Sequence, residues 1–302
     1  MLTYKHLFKL ALFGLCVFFV YAKLKDTNLS ELWSNLKSQT FFWSVALLFG
    51  FNYLFEVLKW RAIVQGLVQY DNRKLIRGVL TGQALGLFAP LLSGEYTGRV
   101  LHLQDQNRHK VLGSYLASVF IQSLMAVSLG TFSSLVLGIR LGWWGLSTAW
   151  ALALAYSCIV VLCLYGFRYS KKWTKYIPEK RRHIFESYRL FDKKRLFWLV
   201  FYFFLRYAVI CFQFFLSFRA FGLEISLVLT FLAISTVLSA KNFFAGVGTV
   251  VELGVRQVTL AYVMELLGYN VALATLAGFW VWLVNIGLAS VLGSWWIWKT
   301  KL

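Results

Sequence analysis

The chain has 302 residues, 59% of them hydrophobic and 14% charged, with four cysteines, two prolines and a net charge of +19. Soluble domains carry nearer a quarter charged residues, so this composition excludes a soluble globular protein and describes one polytopic membrane domain filling 1–302. The positive charge, which in a soluble protein would point to nucleic acid, follows here from the bias of cytoplasmic loops toward Lys and Arg.

Apolar runs at 7–22, 42–58, 111–137, 143–167, 196–221 and 271–297 approach the roughly 17–25 residues a helix needs to cross a bilayer. No barrel-like alternation is present, and helices are the other way to satisfy backbone groups in lipid. The first run is followed by Tyr21-Ala22-Lys23-Leu24-Lys25, a poor cleavage site, so it is expected to remain as a helix. Lys5 and Lys9 place the N-terminus inside. The second run ends in Lys59-Trp60-Arg61, a triplet suited to a membrane interface. Loop 168–195 holds eleven basic residues against three acids, which places it in the cytoplasm. It should also attract anionic headgroups, by about 1 kcal/mol per basic residue near the surface. The last run carries Trp280, Trp282, Trp295, Trp296 and Trp298 and brings Lys299 and Lys301 inside. Both termini are thus expected to be cytoplasmic, in the plasma (inner) membrane.

Two further apolar stretches cannot be full crossings if every basic loop is to stay inside. Leu75–Leu92, with Gly78, Gly82 and Gly86, is expected to enter, break near Pro90–Gly94 and return. Leu227–Phe244 is expected to break at Gly246–Gly248 and return through 252–267. The architecture read from the sequence is therefore all-α, with six full transmembrane helices and two re-entrant broken hairpins.

The two breaks also resemble each other. Phe88-Ala89-Pro90 leads to Glu95-Tyr96-Thr97-Gly98-Arg99, and Phe244-Ala245-Gly246 leads to Glu252-Leu253-Gly254-Val255-Arg256. Lys59-Trp60-Arg61-Ala62 echoes Ser217-Phe218-Arg219-Ala220, and the offset drifts only from 156 to 158. This argues for an internal duplication, repeat A at about 1–137 and repeat B at about 143–297. The first repeat starts inside and the second outside, so the repeats are inverted. Inverted repeats with interrupted helices at matching places point to a transport site near the bilayer midplane.

Glu95/Arg99 and Glu252/Arg256 are each spaced i, i+4, on one face of a short helix. Each pair is either a local ion pair or part of a polar cavity. Ionisable groups at depth cost several kcal/mol unless they face water, a partner or a substrate, and the symmetric occurrence favours the cavity. Lys241, aligned with Ala84, and Arg206, among aromatics, are candidate phosphate partners. For Arg206 the alternative is a structural pair with Glu56, which shares a helix face with Asn52. The candidate substrate-binding residues are thus Glu95, Arg99, Glu252, Arg256, Lys241 and Arg206. Cys16, Cys158, Cys163 and Cys211 lie in apolar runs, and His6, His102, His109 and His183 are scattered, so no metal site is expected. Gly94/Gly98 and Gly246/Gly248 lack the strand context of a nucleotide loop. No catalytic residue and no cofactor is expected.

The Gly-Glu-x-x-x-Arg line after a Pro-containing break, the later Gly-x-Gly…Glu-x-Gly line and the basic central loop resemble the lysylphosphatidylglycerol synthase transmembrane family. The resemblance covers nearly the whole chain and implies a flippase-like membrane domain. The chain ends at Leu302, after the last apolar run, without the soluble aminoacyl-transferase domain of fused members. The resemblance therefore implies lipid translocation rather than lipid synthesis, and stand-alone members associated with isoprenoid or hopanoid lipids leave the substrate open. The expected partners are membrane lipids (an anionic or aminoacylated phospholipid, or an isoprenoid lipid), with a homo-oligomer compatible and no nucleic acid. The alternatives are a membrane-embedded transferase on a lipid carrier, which the basic loops disfavour, and a small-solute transporter, whose site would be enclosed.

Overall fold

The computed structural model describes residues 39–88, 93–103, 108–173, 193–243 and 249–299. The expected helix at 7–22, the breaks at Pro90 and Gly246–Gly248, Lys301 and most of the 168–195 loop lie outside the described residues. Among the described residues every regular element is helical. In chain order these are α1 (Gln39–Val64), α2 (Asn72–Phe88), α3 (Ser93–Leu101), α4 (Arg108–Arg140) and α5 (Leu146–Trp173). They continue as α6 (Lys193–Ala220), α7 (Leu227–Phe243), α8 (Thr249–Leu266), α9 (Val271–Trp282) and α10 (Leu288–Lys299). Four helices among the described residues are long and apolar enough to span: Gln39–Val64, Val111–Arg140, Lys193–Ala220 and Val271–Lys299. Shorter apolar helices are Leu146–Val160 and Leu227–Phe243.

Helix ends follow local chemistry. α6 stops because Gly222 adopts φ +81°, and the turn closes with Leu223 N–H donating to the Phe218 carbonyl at 2.8 Å and Gly222 N–H to Arg219 at 3.1 Å. A left-handed residue after the last turn is the common helix stop, and glycine enters that region without a Cβ clash. Gly66, with φ +75°, follows the end of α1 in the same way.

Packing in lipid has no hydrophobic drive between helices, so close backbone approach and hydrogen bonds carry it. α2 and α3 lie antiparallel and nearly touch: a Cβ at Gly98 would come within 2.5 Å of the Gly82 backbone, and one at Gly82 within 2.7 Å of the Glu95 carbonyl. The Thr81 hydroxyl donates across the same seam to the Gly98 carbonyl at 2.9 Å. α7 packs on α8, and α1 packs along α6. The last helix of each half then crosses to the other half. α4 packs on α7, with Gly130 against Ser235 and Ser239, and α10 packs on α2, with Gly293 against Leu80 and Ala84. Ser134 reaches Thr236 at 3.2 Å across the first of these contacts. One buried cluster gathers around Phe214, Phe218 and Ile234, and a second around Trp60, Leu75 and Tyr115. α5 stands largely exposed through Leu146, Trp150, Leu154 and Leu162, as a lipid-facing helix would.

Two expectations change. Trp60 is not an interface anchor: it is 0% exposed and meets the Tyr115 ring edge-on at 6.2 Å. Lys59 is 6% exposed, because α3 and α4 cover this end of α1 and turn both side chains inward. The final apolar run is also not one regular helix, since a π-helical turn at Leu283–Gly287 separates α9 from α10.

The α2–α3 seam sets a prediction. Gly98→Val should separate the arms and lower the thermal midpoint of the detergent-solubilised protein, with loss of a monodisperse elution profile. Gly145→Ala, where an added Cβ meets nothing within 4 Å, should leave both unchanged.

Candidate functional site

All six candidate residues line one cavity of about 240 Å³ between the two halves. Glu95 sits in the first turn of α3 and Glu252 in the first turn of α8, where unsatisfied backbone N–H groups and the helix dipole favour a carboxylate. Lys241 occupies the last turn of α7, where the dipole favours a cation.

The first half holds its charges in a closed network. Glu56 on α1 accepts from Arg99 at 2.5 Å through Oε1, and from Lys59 at 2.8 Å and Arg206 through Oε2. Arg99 also pairs with Glu95, as its i, i+4 spacing predicts, and faces the Trp60 ring at 5.3 Å. Arg206 Nε donates to Asn52 Oδ1 at 2.8 Å. Lys59 also donates to Gln122 at 2.8 Å. The side chains of Glu56 and Arg99 are 4% and 3% exposed, against 28% for Glu95. Arg206 thus makes the structural pair with Glu56, although it still borders the cavity.

The second half is built differently. Glu252 pairs with Lys241 at 3.1 Å, their side chains 17% and 32% exposed. Of the two readings the i, i+4 spacing left open for Glu252 and Arg256, the local ion pair does not form. Arg256 instead donates to the Gly278 carbonyl at 3.2 Å and lies 5.9 Å from the Phe214 ring centre. Lys241 takes the carboxylate instead.

Several polar residues of this region are not among the sequence candidates. Asn285 lies in the π-helical turn, accepts from Asn52 at 2.6 Å and exchanges hydrogen bonds with Gln213, donating to it at 2.8 Å. Its carbonyl accepts from Tyr53 at 2.8 Å. A π-turn frees backbone carbonyls and often marks a functional position. The signal was a lone Asn in an apolar run, two residues before Gly287. Lys59 and Gln122 also escaped: Lys59 stands i, i+3 from Glu56, a spacing readable on one helix, whereas Gln122 reaches Lys59 only through the fold.

This geometry separates structural from accessible carboxylates. Glu56→Gln would strand Lys59 and Arg206 and leave Arg99 with Glu95 alone, and breaking a buried pair costs about 3–5 kcal/mol. That variant should lose yield and monodispersity on size exclusion. Glu95→Gln leaves Arg99 on Glu56, and Glu252→Gln leaves Lys241 in the cavity, so both should purify like the parent protein.

Comparison with curated proteins finds no match, and neither does comparison with solved structures. The family model described as the lysylphosphatidylglycerol synthase TM region matches residues 6–293. With the apolar helices, the match makes this an integral membrane protein, and the family's description connects it with lipid handling. The chain belongs to the lysylphosphatidylglycerol synthase TM region family.

Proposed function

We propose that the protein is a lipid translocator, moving a polar-headgroup lipid between leaflets without altering it chemically. The observation that carries this reading is the convergence of Glu95, Glu252, Lys241 and Arg256 from α3, α7 and α8 on one polar cavity in a chain otherwise suited to lipid. A headgroup would occupy the cavity while its acyl chains stay in the bilayer. The accessible carboxylates Glu95 and Glu252 would meet a cationic part of the headgroup, and Arg256 and Lys241 its phosphate.

The inverted-repeat reading has support from reciprocal packing. α2 and α7 each hold a neighbouring arm, and each is crossed by the last helix of the other half. In this reading α2–α3 and α7–α8 are the two re-entrant hairpins of repeats A (about 1–137) and B (about 143–297). The protein then sits in the plasma (inner) membrane with cytoplasmic termini and the basic loop 168–195 on the same side. The partners are the membrane lipids.

The test is reconstitution of the full chain into liposomes with a leaflet-specific, dye-accessible lipid. The parent protein should scramble or transport the probe faster than protein-free vesicles. Glu95→Gln and Glu252→Gln should each slow it about tenfold or more, the loss expected for one charged hydrogen bond. Rates equal to protein-free liposomes across several lipids would overturn the proposal. Recovery of activity in Glu95→Gln/Arg99→Ala would reassign that pair to structure alone.

A further inference from the structure

The charged residues lining the cavity are five basic (Lys59, Arg99, Arg206, Lys241, Arg256) and three acidic (Glu56, Glu95, Glu252). With all of them ionised, the surplus is two positive charges. In the first half the excess is shared through Glu56, which touches three cations. In the second half Arg256 stands apart. It is 8% exposed and its Nε is buried without a hydrogen-bond partner, as are Nε and Nη1 of Arg99; what sets it apart is that Arg99 has two carboxylates and Arg256 forms no ion pair among the described residues. The offset of 158 that aligns Trp60 with Phe218 puts Phe214 where the first half has Glu56. Arg256 therefore faces an aromatic ring where Arg99 faces a carboxylate. The indole Nε1 of Trp282, which lines the same cavity, is also buried without a partner.

Resting on the lipid-translocator reading, we infer that the cavity takes a headgroup of net negative charge, with its phosphate on Arg256 and Lys241, and disfavours one of net positive charge. A guanidinium buried without a counter-ion is costly, and a phosphate supplies both the missing charge and acceptors for a planar donor fork. The carboxylates do not cancel this preference. Glu56 is occupied by three cations, and Glu95 and Glu252 are each paired with one (Arg99, Lys241) while partly exposed, so they can meet a cationic group of the headgroup without reversing the surplus of two positive charges. A lysyl-bearing headgroup would add two ammonium groups, α and ε, to a site that already has a cation surplus. The chemistry recognised is the phosphate anion, whether on a lipid or free in solution.

The test titrates the full detergent-solubilised chain, following its thermal midpoint, with short-chain phosphatidylglycerol, short-chain lysylphosphatidylglycerol and inorganic phosphate. Phosphatidylglycerol should bind about tenfold or more tighter than the lysyl lipid, and Arg256→Gln should weaken it by a similar factor. Arg256→Gln strands no acid, because Glu252 keeps Lys241 at 3.1 Å. Arg256→Lys, which retains the charge, should keep most of the affinity and separates binding from folding. Equal or tighter binding of the lysyl lipid, or unchanged binding in a folded Arg256→Gln, overturns the inference while leaving lipid translocation standing. Binding of inorganic phosphate without binding of any lipid would uphold the anion site and remove the translocator reading instead.

Discussion

One buried carboxylate organises the interior of this protein. Glu56 projects from α1 and holds Lys59 of its own helix, Arg99 of α3 and Arg206 of α6. Charges in a membrane interior are tolerated when they face partners or water, and here a single anion partners three cations from three helices. Its location also explains why α3 lies where it does. Arg99 must reach Glu56, and it does so only because glycines let α3 press against α2. The backbone contact at Gly82 and Gly98 and the ion pairs of Arg99 are therefore parts of one arrangement.

The two halves differ in electrostatics. Each has a long helix, a closely packed helical hairpin and a final helix that leaves to cover the other half. The first half gives its arginine two carboxylate partners, Glu56 and Glu95. In the second, Lys241 takes the Glu252 carboxylate and Arg256 is left with a backbone carbonyl and the Phe214 ring. The π-turn at Asn285 joins the halves, since this residue binds Asn52 and Tyr53 of α1 and Gln213 of α6.

The membrane class, the helical content and the positions of most long helices were legible in the sequence, because hydropathy over some twenty residues is a local property set by the bilayer. The run at 42–58 lies inside α1, and 111–137 lies inside α4. The glutamates and arginines that reach the cavity were also legible, since ionisable residues beside a broken apolar run stand out against their background. The repeated Glu-x-x-x-Arg line marked the two places where α3 and α8 begin.

What only the tertiary structure decided is which charges partner which. Helical spacing made Glu252 and Arg256 neighbours, but the partner of Glu252 is Lys241 on another helix. Lys59 and Trp60 read as interface residues until α3 and α4 covered them. Glu56 was visible as a polar residue in an apolar helix, yet its three cations lie up to 150 residues away. Spacing along one helix determines which side chains share a face. Ion pairing in lipid is decided by the crossing of separate helices, and that crossing is set by glycine contacts too distributed to be read from local pattern.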